Sequence, residues 1–222
     1  MAILELKDVR YSYRTKQAKK EVLRGLSAGF ECGSLYAVVG KSGAGKSTLL
    51  SLMAGLDLPQ SGEVLFEGTP TAQMDLAEYR RRSASVIYQD FALFPLLTVT
   101  ENIMYPMELC SVEASEAKQT ALALAEKVSL PADLLDRFPA QISGGEQQRV
   151  AIARGLAMDR QLLLADEPTG NLDSENSDLI IDLLLRLAHE ENRCVIVVTH
   201  DLSVMDRADI VFRLNDGVLE KR

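Results

Sequence analysis

Tryptophan is absent from this 222-residue chain, and Phe and Tyr together make up only 5% of it. That scarcity argues against a stacking platform for bases and against a sandwich interior, and suits a core of Leu, Val and Ala. Basic residues are in deficit, with 24 Lys and Arg against 32 Asp and Glu, for a net charge of −8. Such a balance repels a phosphate backbone and disfavours nucleic acid as a partner, while leaving room for a local basic patch. The three cysteines, Cys32, Cys110 and Cys194, are far apart, odd in number and without CxxC or Cys/His spacing. Neither a disulfide framework nor a zinc site is suggested, and they read as small apolar residues in a reducing compartment. No run approaches the ~18 apolar residues of a membrane span, and residues 1–8 meet charge before a cleavable signal could form. The expectation is a soluble, cytoplasmic protein that reaches a membrane only through a partner.

Apolar material itself is ample: hydrophobic residues are 47% of the chain, enough for one compact unit spanning residues 1–222. The most informative stretch is residues 36–48, YAVVGKSGAGKST, in which an apolar strand runs into a glycine-rich turn and then a helix. Gly40, Gly43 and Gly45, with Lys41, Ser42 and Ala44 between them, let the backbone wrap until its N–H groups point inward at a phosphate. Lys46 adds a mobile cation and Ser47 a hydroxyl for Mg²⁺. The helix opening at Lys46 and running on through Thr48 aims its positive end at the same anion. The pattern G-x-x-x-x-G-K-[ST] arises by chance in about one chain of this length in a hundred. On spacing alone a flexible Gly/Ser turn competes with it.

Four apolar runs end in polar residues that nucleotide chemistry uses: 35–39 at Gly40, 84–88 at Gln89, 162–165 at Asp166 and Glu167, and 194–198 at Thr199 and His200. Continuous runs such as Cys194-Val195-Ile196-Val197-Val198 mark a parallel sheet buried on both faces. Ligands of open α/β sheets sit at strand carboxyl ends, so these four ends are expected to line one site. Ahead of them, Ile3, Leu4, Leu6 and Val9 and then residues 22–30 predict antiparallel β structure, with the basic residues 14–20 as a solvated hairpin tip. Helices are predicted over 114–130, 145–158 and 174–191. The fold class is therefore α/β, with a mostly parallel central sheet, an amino-terminal antiparallel β subdomain and an inserted helical subdomain at about residues 90–155.

Two further motifs carry chemistry. In residues 162–167 an acid after an apolar strand is placed to hold Mg²⁺ through its water shell; Asp166 takes that role and Glu167 polarises the attacking water, against the alternative of an ordinary strand-to-turn sequence. Ser143 and Glu146 before an apolar helix form a capping box. The box leaves the adjacent Gly144 and Gly145 unexplained, and these suggest a second phosphate-binding helix start. Two such starts and one nucleotide per chain imply nucleotides shared between two chains.

Gly40 to Thr48, Gln89, Ser143 to Gln147, Asp166, Glu167, Asp173 and His200 together resemble, in order and spacing, the ATP-binding subunits of ABC transporters, over essentially the whole chain. The resemblance implies that Tyr13, in preference to Tyr11, stacks on adenine. It makes Gln89 the residue that senses Mg²⁺ and water, Asp173 the acid that couples two sites across a dimer, and His200 the contact to the γ-phosphate. It implies ATP and Mg²⁺ as cofactors, an ATP-dependent homodimer, and membrane permease subunits that hold the protein at the inner face of the membrane. The wording of residues 165–173, ADEPTGNLD, with Glu146 where many relatives have Gln, resembles the subgroup serving lipoprotein release, macrolide export and antimicrobial-peptide resistance. The cell-division ATPase of the family shares it, so regulatory signalling through a membrane partner stands beside transport. Ile142 and Tyr88 depart from the usual Leu and Phe without removing a catalytic group. A DNA-repair or translation factor on the same cassette would need an insert for which residues 90–142 are too short. The unusually apolar residues 90–99 read either as a small core for the helical subdomain or, as the resemblance implies, as the neighbourhood of the groove for a permease helix, and part of residues 91–102 is expected to be exposed.

Overall fold

The computed structural model describes residues 2–14 and 19–222. The basic hairpin tip expected at residues 14–20 is centred on 15–18, which lie outside the described residues. In chain order the elements are β1 (Leu4–Arg14), β2 (Lys19–Phe30), β3 (Ser34–Val39), α1 (Lys46–Met53), β4 (Ser61–Phe66), β5 (Thr69–Pro70), α2 (Leu76–Arg82) and β6 (Ala84–Ile87). There follow α3 (Val99–Leu109), α4 (Ala114–Lys127), α5 (Gly144–Leu156), β7 (Leu162–Asp166), α6 (Ser174–His189), β8 (Cys194–Thr199), α7 (Leu202–Arg207), β9 (Ile210–Asn215) and β10 (Val218–Lys221).

An antiparallel sheet has the order β2-β1-β4-β5, and a second sheet has the order β10-β9-β3-β8-β7-β6. In the second sheet only the β9–β10 hairpin is antiparallel. Parallel pairing aligns Val39 with Thr199, Asp166 with Val198 and Ile87 with Ala165. The residues that follow, Gly40, His200, Glu167 and Gln89, therefore emerge along one edge.

The continuous apolar runs are explained by burial on both faces. Side chains alternate along a strand, so Leu35, Ala37, Leu163, Ala165, Val195 and Val197 pack towards the helices α3 to α6, while Tyr36, Val38, Leu162, Leu164, Ile196 and Val198 pack towards α1 and the antiparallel sheet. Each such side chain fully removed from water contributes about 1.5–3 kcal/mol. Residues 90–155 do not bury a core apart from the sheet: α5 packs on α3 and α4 and on β6, and the cluster containing Ile103, Ala121 and Val150 is continuous with Leu163 and Val195. Cys194 is buried, Cys32 and Cys110 are half-buried, and all three are free.

Between β6 and α3 the chain is irregular but anchored. The Arg154 guanidinium of α5 donates to the carbonyls of Ala92 at 2.7 Å and Phe91 at 3.0 Å. Asn102, fully buried, donates through Nδ2 to the carbonyls of Phe94, Leu97 and Thr98 and accepts from the Phe94 N–H at 2.8 Å. Held from below, this segment turns Phe94 and Leu96 to solvent, with Leu96 85% exposed. The exposure expected within residues 91–102 thus lies in its first half, and Val99 and Asn102 are core. Asn102→Ala would leave the Leu97 carbonyl without its donor and the Phe94 N–H without its acceptor, and we expect a loss of about 2–4 kcal/mol in urea unfolding. Unchanged stability would show that other contacts hold the segment.

Candidate functional site

A cleft of about 640 Å³ opens at the carboxyl edge of the parallel sheet and is lined by Tyr13, Ser42, Gly43, Gly45, Lys46, Ser47, Thr48, Gln89, Asp166, Glu167 and His200, with Lys20 and Val22. Gly45, at φ 106°, takes the left-handed conformation before α1, and a side chain there would run into Val22. Gly40, Lys41 and Ala44 belong to the loop but lie outside the cleft lining. A Cβ at Gly40 would collide with the Leu214 carbonyl, so close passage of β9 requires glycine there. The Lys46 ammonium donates to the carbonyls of Gly40 at 2.9 Å and Lys41 at 3.4 Å, and lies 3.7 Å from Glu167 Oε1.

Glu167 is the most connected group in the cleft. It follows β7 with φ 47°, a conformation that costs a non-glycine residue roughly 1–2 kcal/mol. Its N–H donates to the Val198 carbonyl at 2.8 Å, which ties this turn to β8. One carboxylate oxygen accepts from the Thr199 hydroxyl at 2.8 Å and the His200 N–H at 3.2 Å; the other lies 2.8 Å from His200 Nδ1. The side chains of Lys46 and Glu167 are only 10% and 11% exposed, so their charges act on each other with little screening. Burial pushes the Asp166 carboxyl above the usual carboxylate range, and the neighbouring Glu167 charge adds to this; Lys46 and a hydrogen bond from Ser47 oppose it.

Ser47, Asp166 and the Gln89 amide bring hard oxygen donors to one cleft, which fits Mg²⁺, an ion that takes few protein ligands and keeps its waters. Gln89 is fixed by its neighbours: its carbonyl accepts from Asn171 Nδ2 at 3.0 Å, and its side chain packs against Gly170. Tyr13 faces the cleft half-exposed, 3.1 Å from the Thr48 hydroxyl. Tyr11 turns away to hydrogen-bond Asp57.

The ABC transporter family profile matches residues 23–170. The chain belongs to that family. It is 42% identical over 220 residues to an uncharacterized ABC transporter ATP-binding protein of Mycobacterium tuberculosis, covering 98% of this chain and 88% of the relative. It is also 42% identical over 223 residues to the lipoprotein-releasing system ATP-binding protein LolD of Idiomarina loihiensis, covering 99% and 97%. Among solved structures, the dimeric ATP-binding cassette MJ0796 in a post-hydrolysis state with ADP and Pi superposes with a TM-score of 0.90 at 35% identity, covering 98% of both chains.

Not every expected residue of this ABC cassette reaches the cleft. Ser143, Gly144, Gly145, Glu146 and Asp173 lie outside its lining. Ser143 caps α5, with its N–H and hydroxyl donating to Glu146 at 2.7 and 2.8 Å. The two glycines at this helix start differ in their packing. Gly145 is buried, and a Cβ there would land on Asn176 Oδ1, so packing against α6 accounts for it; a Cβ at Gly144 would meet nothing nearer than 3.8 Å. Thr199, Asn171 and Asn176 were not singled out as site residues. Only for Thr199 was a signal available, its place at a strand end.

The raised pKa of Asp166 has a thermodynamic sign. With the folded value above the unfolded one, ionisation destabilises the fold as pH rises through that window, and the cost persists at neutral pH. Asp166→Asn should therefore melt higher than the wild type at about pH 7, with the gain fading towards about pH 4. A lower melting temperature at neutral pH would contradict this account.

Proposed function

We propose that this chain, an ATP-binding and ATP-hydrolysing subunit of an ABC transporter, works as a homodimer that closes around two Mg·ATP and drives movement in membrane permease subunits. The observation that carries this reading is the meeting of Lys46, Asp166, Glu167 and His200, from three separate segments, in one cleft.

Lys46 exchanges the carbonyls of Gly40 and Lys41 for the β- and γ-phosphates, and the loop amides with the start of α1 hold the remaining phosphate oxygens. Tyr13 supplies the face on which adenine stacks. Ser47 and Asp166, with Gln89, would hold Mg²⁺, which would supply neutralisation of the phosphate charge. Glu167, oriented by Thr199 and His200, accepts the proton of the attacking water. His200, whose side chain is 70% exposed, reaches the γ-phosphate from the rim.

Ser143 and Gly144 at the start of α5 serve the partner chain's nucleotide, because first-turn amides lack intrahelical acceptors and this start lies outside its own chain's cleft. Asp173 stands beside them at the cap of α6. LolD is named for lipoprotein release and MacB, a 40% identical relative that this chain covers to 31% of its length, for macrolide export. Those names favour transport over signalling. No helix of the described residues is long and apolar enough to cross a membrane, so placement at the inner face depends on the permease. Exposed Phe94 and Leu96, beside a groove of about 610 Å³ that includes Tyr105 and Leu109, form the contact surface.

Glu167→Gln keeps the shape of the side chain but removes the base. This variant should bind Mg·ATP, form a stable dimer in size-exclusion chromatography and lose about 10²–10⁴ in turnover. Asp166→Asn and Lys46→Ala should fail to dimerise with Mg·ATP. Wild-type turnover by Glu167→Gln would remove it from this role. Phe94→Ser/Leu96→Ser should release the protein from native membranes while the isolated subunit keeps its ATPase rate; full retention would move the permease contact elsewhere.

A further inference from the structure

Asn176 lies in the first turn of α6 and touches both features that the two-chain reading assigns to the partner's nucleotide. Its backbone N–H donates to Asp173 Oδ1 at 2.8 Å, and its Nδ2 donates to both Asp173 carboxylate oxygens at 3.0 Å. Its Oδ1 accepts from Arg149 Nη1 at 3.4 Å and fills the space where a Gly145 side chain would begin. One primary amide thus has its donor end on the acid and its acceptor end against the first turn of α5. Few side chains could do both. Carboxylates cannot donate at neutral pH, and alanine has no group that could bond to Asp173.

We propose that Asn176 is a positioning residue for ATP hydrolysis, fixing Asp173 relative to the Ser143–Gly145 helix start so that both meet the partner chain together. The proposal rests on the two-chain reading and adds to it a residue outside the cleft. Asn176 is absent from the cleft lining, so its own chain's nucleotide contacts do not depend on it. Its influence falls on dimer closure. The backbone N–H of residue 176 still caps on Asp173 after substitution, so α6 keeps its start; what is lost is the orientation of the carboxylate and the wedge against Gly145.

The test uses the full chain with Mg·ATP. Asn176→Ala should retain wild-type affinity for Mg·ATP as a monomer and show kcat about tenfold lower with little change in KM, the loss expected for hydrogen bonds to a charged group. In the Glu167→Gln background it should weaken the Mg·ATP-dependent dimer. Asn176→Asp keeps the shape but sets a second carboxylate against Asp173. Its deficit in kcat relative to wild type should narrow as pH falls, when one shared proton restores a donor, while that of Asn176→Ala stays flat. Gly145→Ala should lose activity on its own and cost much less when added to Asn176→Ala, which removes the Oδ1 and Cγ that the new methyl meets and leaves the Cβ of residue 176 at 3.2 Å.

Wild-type kcat in Asn176→Ala, parallel pH profiles for the two variants, or additive losses with Gly145→Ala would each overturn the proposal. An equal fall in nucleotide affinity would do so too, by marking a general structural defect. A wild type that dimerises with Mg·ATP beside an unaffected Asn176→Ala removes this proposal alone, whereas hydrolysis by strictly monomeric wild type removes the two-chain reading beneath it.

Discussion

One carboxylate holds the edge of the sheet together. Glu167 sits at the end of β7, yet its oxygens receive Thr199 and His200 from the end of β8 and lie beside Lys46 from the helix after β3. Three adjacent strands are thereby fixed at the point where they leave the hydrophobic interior. Such a group could not sit there alone, because a nearly buried carboxylate without partners costs several kcal/mol. The left-handed backbone at Glu167 aims the side chain sideways along the edge, and the bond from its N–H to Val198 holds that turn. A group tied by hydrogen bonds on both oxygens is oriented before any reaction begins.

How much of this could be read from residue types depends on how local the cause is. The strands β3, β6, β7 and β8 were legible because burial on both faces selects an unbroken apolar run, and each run stopped at a polar residue. The phosphate loop was legible because its glycines and Lys46 act within one turn. By contrast β4, SGEVLF, is exposed over its first half, β9 is only partly buried and the four-residue β10 is mostly exposed, so no run marks them. The helix expected over 114–130 ends at Lys127, since Ser129 turns left-handed at φ 57° ahead of Pro131.

The site followed the same division. Lys46, Ser47, Gln89, Asp166, Glu167 and His200 share a cleft because parallel register carries each strand end to the same edge. The packing demand on Gly145 was not legible because its neighbour, Asn176, is distant in sequence: the glycine looks like an open backbone until α6 is laid beside it. Asn102 shows the same limit. A polar residue inside an apolar segment gives no sign that the Leu97 carbonyl and the Phe94 N–H depend on its side chain.

The grip of Arg154 on Phe91 and Ala92 has a mechanical consequence. Arg154 stands near one end of α5 and Ser143 caps the other, and a 13-residue helix is a stiff rod of about 20 Å. A load applied at Phe94 enters this rod through the guanidinium and arrives at Ser143. Its direction there is set by the fulcrum, the packing of α5 against α3, α4 and β6. Because that packing is one continuous core, a displacement at the exposed aromatic would be passed to the far end of the helix as a small tilt.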